Sequence, residues 1–278
     1  VRVRNVAGIE RYALDQPVDR LTGCVVTTRQ QLLSDVVRGA LPATVDLSRP
    51  RLPLPGDAVT LPNPLLSWPT LLAETMPMRI GTVHGDLNTG NVLIDVDAKS
   101  TFIIDCVHAH RDHALYDLAR LESELLLHLV AVHCYRQKLP PTTIHPLYNW
   151  LAYVAERAPD EPGYVAVPQP LLDTMPAMQS TFLALATVRN GVRPYLATPE
   201  RWREYYVALF FTLLGSTKFA SLDRVSPGVQ PKAVAFWGAA TLLAHLEQAP
   251  DLAHIGWQRV AVHDVSRAPA AGTQPNVY

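Results

Sequence analysis

Large apolar side chains recur at helical spacing along much of this chain. In 28–38, Leu32, Leu33, Val36 and Val37 form an apolar stripe that Gly39 is expected to end. Asp117 is followed by Leu118, Leu121, Leu125, Leu129 and Val132, which predicts a helix that Pro140 and Pro141 stop. Further helices are predicted over 142–157, 177–193, 200–219 and 230–248, with proline-bearing breaks at 159–170 and around Pro194, Pro199 and Pro227. Two short runs behave differently. Residues 91–95 and 101–105 are rich in Val, Ile and Phe and flank a polar Val-Asp-Ala-Lys-Ser turn, which predicts a β-hairpin.

Between 42 and 77 the chain carries eight prolines, at 42, 50, 53, 55, 62, 64, 69 and 77. Proline removes backbone donors and fixes φ, so a central strand or long helix is excluded there. An extended connector with a short helical piece near 67–74 is expected instead. The fold class that follows is α+β and mostly helical. Its parts are an N-terminal segment with connector (1–79), a hairpin-bearing helical body (80–263) and a linker or tail (264–278).

Composition narrows the functional classes. Apolar residues make up 48% and charged residues 18%, and 24 basic against 25 acidic side chains leave a net charge of −1. Nothing in that balance favours a nucleic acid or an anionic membrane as partner. A charge-poor surface fits cover by further domains or subunits, or genes that favour Arg, Ala and Pro. Cys24, Cys106 and Cys134 show no CxxC spacing, so a reducing, cytoplasmic setting is expected. The most apolar run, 205–214, is far short of the ~18 residues a membrane span needs. The absence of a leader and of an initial Met is read as the mark of a piece of a longer polypeptide.

Chemistry concentrates at 83–105. Val83-His-Gly-Asp-Leu-Asn-Thr-Gly-Asn91 is followed by Phe102-Ile-Ile-Asp105. An acid (Asp86), an amide five residues on (Asn91) and a second acid (Asp105) around a hairpin are what phosphoryl transfer uses. The first orients an acceptor hydroxyl, and the other two offer oxygen ligands to Mg2+ on nucleotide phosphates. His84 is expected to bond backbone beneath the second loop rather than act as a base, and Gly85 to permit a tight approach.

These residues resemble the kinase-like phosphotransferases, in the aminoglycoside phosphotransferase and choline kinase branch, where Gly follows the His. The likeness is closer to bacterial kinase-like domains of multidomain signalling and conflict-system proteins, known as ternary-complex-associated domains. Those carry the His-Gly-Asp-Leu-Asn core, a following Ile-Asp, and a short motif that here is Asp117-Leu-Ala-Arg120-Leu-Glu122. The resemblance implies a protein-kinase-like C-terminal lobe with the hairpin at its catalytic and metal loops. It also implies ATP and Mg2+ as cofactors, and a buried Asp117 that accepts backbone donors near the catalytic loop. Arg120 and Glu122 are expected to be helix-face ion pairs or locks between elements.

Several positions depart from that pattern. Only 83 residues precede His84, without a lysine (the first is Lys99) or a Gly-x-Gly-x-x-Gly turn. An upper lobe is therefore expected upstream in the same polypeptide or in another chain. Cys106 follows Asp105 where an aromatic is usual, and Asn88 stands where many active members carry Lys or His. His108, His110, Arg111 and His113, with Asp112, form a dense polar cluster read as ordinary loop polarity or as a candidate acceptor loop. Their spacing does not suit a helical zinc motif, and no zinc is expected. Three readings follow: a small-molecule phosphotransferase acting on a hydroxyl, a pseudokinase scaffold or sensor in a bacterial signalling or conflict-system protein, or a structural helical domain whose motif is a relic.

Overall fold

The computed structural model describes residues 2–5, 23–27, 29–157, 166–198, 201–225 and 230–247. The tail over 264–278, Pro199, Pro227 and most of the 159–170 break lie outside them. The fold is α+β and mostly helical, with four separate two-stranded antiparallel sheets. In chain order the elements begin with β1 (Arg2–Asn5), β2 (Gly23–Thr27) and α1 (Arg29–Ala40). Next come β3 (Arg51–Pro53), β4 (Thr60–Pro62), α2 (Pro64–Leu72) and β5 (Ile80–Val83). The hairpin β6 (Val92–Asp95) and β7 (Ser100–Ile103) precedes β8 (His110–His113) and α3 (Tyr116–Leu125). The helical body follows as α4 (Ala131–Arg136), α5 (Ile144–Arg157), α6 (Gln169–Thr174) and α7 (Gln179–Val192). It closes with α8 (Arg203–Ser216), α9 (Leu222–Val225) and α10 (Gln230–Glu247).

Helix α10 is the axis of the core. It is buried on every side from Pro231 to Leu243 and packs against α8, α5, α4 and β4. An alanine-rich sequence allows this, because short side chains let neighbours approach from all directions. At Gly238 an added Cβ would lie 3.1 Å from Leu213 Cδ1 of α8, so the two helices are close there. The Trp202, Tyr205, Tyr206 and Phe210 side chains are buried at the start and middle of α8, as helix-packing residues.

The proline-rich stretch joins this core. Leu52, Leu54, Leu61, Leu65 and Leu71 are buried in the same cluster as the helical body. Prolines 53 and 62 end the short strands β3 and β4, where a missing ladder donor costs little. Asn63, fully buried, organises the turn into α2. Its Nδ2 donates to Leu47 O (2.8 Å) and Arg49 O (2.9 Å), while its Oδ1 accepts from Leu65 N (3.0 Å). Pro64 at the first helical position completes the start of α2.

Three sequence expectations change. Helix α1 runs through Gly39 to Ala40, since a glycine within a last turn weakens a helix without ending it. The helix expected from 117 to 139 is interrupted by a π-helical turn at Leu126–Val130, between α3 and α4. The polar cluster read as a loop is in part a strand. Residues His110–His113 pair with Ile80–Val83 in the register Ile80↔His113 to Val83↔His110. Single-sequence pattern misses such a strand because pairing, not the propensity of His, Arg and Asp, makes it.

Candidate functional site

The β5–β8 sheet delivers the chain into 84–91 from one side and into α3 from the other. Asp117, in the first turn of α3, closes the junction. Its Oδ2 accepts from His84 N (2.5 Å) and its Oδ1 from Gly85 N (3.1 Å). A carboxylate that takes two amides fixes their direction, and each such charged bond is stronger than a neutral one. Asp117 therefore serves the 84–91 loop rather than capping its own helix, whose N-cap is Leu115.

His84 ties the two chemical loops together. Its Nδ1 accepts from Asp86 N (3.3 Å), so Nε2 carries the proton and donates to Ile104 O (2.7 Å). Buried and doubly engaged, the ring holds the residue just before Asp105 against the 84–91 loop. Gly85 makes the approach possible. It has φ +83°, and a Cβ there would lie 2.3 Å from His108 O.

Asp86 is half-exposed at the end of this scaffold. Asn91 Nδ2 donates to Asp86 O (2.9 Å), and the Asn91 carbonyl accepts from Ile104 N (3.0 Å). Asn88 has both ends occupied. Its Nδ2 reaches Asp86 O (3.1 Å) and Oδ2 (3.3 Å), and its Oδ1 accepts from Gly90 N (2.9 Å). Asn88 thus shapes the tight turn Thr89–Asn91. Asp105 stands in the left-handed region (φ 61°, ψ 49°), and its carboxylate caps no backbone donor. Lys99 and Lys138, in turns, share that region, which Asp enters more readily than most side chains.

Asn91 has its amide nitrogen committed and its oxygen left over, and Asp105 presents an exposed carboxylate. Both are hard oxygen donors that suit Mg2+ together with nucleotide phosphates. Among the described residues no group of three or more His, Cys, Asp or Glu side chains converges to hold a metal ion.

The histidine cluster separates into distinct tasks. His113 Nε2 pairs with Glu204 Oε1 at 2.7 Å, and Glu204 Oε2 accepts from Ala197 N at 2.8 Å, which fastens β8 to the segment before α8. His110 Nδ1 meets His108 O (2.7 Å) and its Nε2 meets Asp112 Oδ2 (3.1 Å). The His108 carbonyl and the Asp112 carboxylate raise the His110 pKa. The His113 amide and His110 lower that of Asp112. His108, His110 and Arg111 are exposed, while Asp112 and His113 are half-buried.

Other partners had no sequence signal. Glu122 is buried and held by Arg189, Nε to Oε2 at 2.5 Å and Nη2 to Oε1 at 2.7 Å, and by Tyr205 OH at 2.7 Å. Arg189 also lies over the rings of Tyr148, Tyr205 and Tyr206 at 5.2 to 5.4 Å. Burial works to lower the Arg189 pKa, but the charge and hydrogen bonds of Glu122 outweigh it and the group stays protonated. Arg120 pairs with Glu124 (3.0 Å) and stands 3.7 Å from Asp86 Oδ1, and Glu124 in turn pairs with His128 (3.1 Å).

Residues 1–213 match the family of ternary complex associated domain 9. The chain belongs to that family. The match to ternary complex associated domain 9 spans the proline-rich stretch, the 84–91 loop, the hairpin, the helical body through α7 and most of α8. No curated protein and no solved structure matches the chain. Among the described residues of this family member, no helix is long and apolar enough to cross a membrane.

Proposed function

We propose that this chain carries the catalytic and metal loops of a kinase-like, Mg2+- and ATP-dependent phosphotransferase acting on a hydroxyl acceptor. The observation that carries the reading is the lock between the two loops. His84 to Ile104 O and Ile104 N to Asn91 O tie the loop that carries Asp86 and Asn91 to the residue before Asp105, on a half-exposed to exposed rim. In this reading Asp86 orients the hydroxyl and takes its proton late in transfer, and Asn91 and Asp105 hold Mg2+ on the phosphates.

The hairpin supports an upper lobe supplied from elsewhere in the polypeptide or by another chain. Leu93 faces Phe102 across the strands on one side, and Ile94 and Ile103 lie on the other, all between 48% and 69% exposed. A two-stranded hairpin apolar on both faces is marginal in water and suits cover on both sides. The same feature favours the second reading, a pseudokinase scaffold or sensor that uses this rim to hold a partner.

Titration of Mg-ATP into the full-length polypeptide and its Asp105→Ala and Asp86→Ala variants tests the proposal. Asp105→Ala should lose metal-dependent binding. Asp86→Ala should keep nucleotide affinity and lose turnover by about 10²- to 10⁴-fold. No binding by the unaltered protein ends the enzyme reading, and binding without turnover leaves the scaffold.

A further inference from the structure

Arg120 makes one close ion pair and keeps a second carboxylate at a longer distance. Its guanidinium is held on two sides, by Glu124 at 3.0 Å and by the face of the Phe219 ring at 5.5 Å. Glu124 is itself buried and held by His128, so Arg120, Glu124 and His128 form a braced row at helical spacing on one face. The third neighbour is Asp86, at 3.7 Å, longer than the charged hydrogen bond such a pair would form if stability were its purpose. Asp86 is thus left able to take another donor, with a fixed cation beside it. Among the described residues Arg120 is the cation that pairs with Asp86. Asn88, two positions after Asp86, is neutral; it shapes its turn and donates weakly to Asp86 Oδ2 at 3.3 Å.

This inference rests on the phosphotransferase reading. An acceptor hydroxyl that donates to Asp86 places its oxygen about 2.7 Å from the carboxylate. As that oxygen attacks the γ-phosphorus, the bond to the β,γ-bridging oxygen breaks and its electron pair leaves with ADP. The hydroxyl proton passes to Asp86. Negative charge meanwhile spreads over the three equatorial oxygens of the transferred group, and a planar fork of N–H donors suits two of them. We propose that Arg120, braced by Glu124 and Phe219, is the catalytic cation that binds the transferred phosphoryl group. Helix α3 then supplies from the side the positive charge that the 84–91 loop does not.

The test uses the full-length polypeptide with Mg-ADP, alone and with aluminium fluoride as mimic of the transferred group, so that no acceptor need be known. The unaltered protein should bind Mg-ADP more tightly when aluminium fluoride is present. R120Q should keep Mg-ADP affinity within about twofold and lose the aluminium fluoride gain, about 10²-fold or more if Arg120 acts with the strength of an arginine finger. R120K keeps the charge but not the fork, and should lose about tenfold of the gain at an unchanged melting temperature. Should R120Q fail to fold, R120K decides. Full retention of the gain in either folded variant overturns the proposal and leaves nucleotide binding standing. A gain missing from the unaltered protein, with Mg-ADP still bound, overturns it too. Absence of Mg-ADP binding in the unaltered protein removes both this assignment and the functional reading, and Asp105→Ala marks the difference by losing Mg-ADP while Arg120 is intact.

Discussion

Removal of Arg189 should destabilise this protein more than any change on its surface. Arg189 and Glu122 are fully buried and joined by two hydrogen bonds, and Tyr205 adds a third bond to the carboxylate. Arg189→Met leaves Glu122 charged in an apolar interior with one donor, and such a break costs about 3–5 kcal/mol. For a chain of this size that is a fall in Tm of roughly 10 °C. Glu122→Leu should cost a similar amount, because three tyrosine rings replace only part of the lost charge partner. The double variant removes both charges, and its loss should fall short of the sum of the singles by about 2 kcal/mol or more. Urea unfolding of all four proteins at pH 7 gives the cycle. Additive losses, or a single-variant loss under about 1 kcal/mol, would refute the view that α3 is locked to α7 and α8 by charge rather than by shape.

Two further outcomes follow from the backbone and from burial. Gly85→Ala should lower stability by at least ~2 kcal/mol, since it meets both a positive φ and the His108 carbonyl. Gly39→Ala, in α1 with nothing within 4 Å, should instead stabilise by about 0.5–1 kcal/mol; chemical denaturation compares the two, and equal effects would contradict the assigned clash. Burial, with Arg189 and His145 nearby, lowers the pKa of His245 from 6.5 to about 3. The unfolded chain therefore binds an extra proton between those values, so stability is complete above pH 6.5 and falls on acidification toward pH 3. The ceiling is a few kcal/mol, on the order of 1.4 per pH unit, and His245→Gln should flatten the stability profile across that window.

The sequence made the candidate site legible where local spacing sets it. Asp86, Asn91 and Asp105 sit within one loop–hairpin unit, so short-range pattern was enough to group them. The same holds for α5, α7, α8 and α10, whose large apolar side chains recur within each segment. What stayed hidden is long-range. Glu122 and Arg189 are 67 residues apart, and His113 and Glu204 are 91 apart. No spacing rule links them, and each polar member alone reads as a surface residue. Strand β8 was missed for the same reason, because β5 makes it a strand. The proline count excluded long elements from 42–77 and said nothing of where its leucines would be buried.

That burial has a consequence for the order in which the protein is built. The strap over 51–62 packs on α10, and Arg51 reaches Glu247 at 3.1 Å across 196 positions. A ribosome therefore delivers Leu52 and Leu61 long before it delivers the helix that covers them. Closure over so long a loop is entropically slow, and the apolar strap stays open to wrong partners until α10 emerges. Eight prolines between 42 and 77 limit how far the waiting segment can pair as sheet beyond the short β3–β4 ladder. Their value is then as much to the nascent chain as to the finished fold.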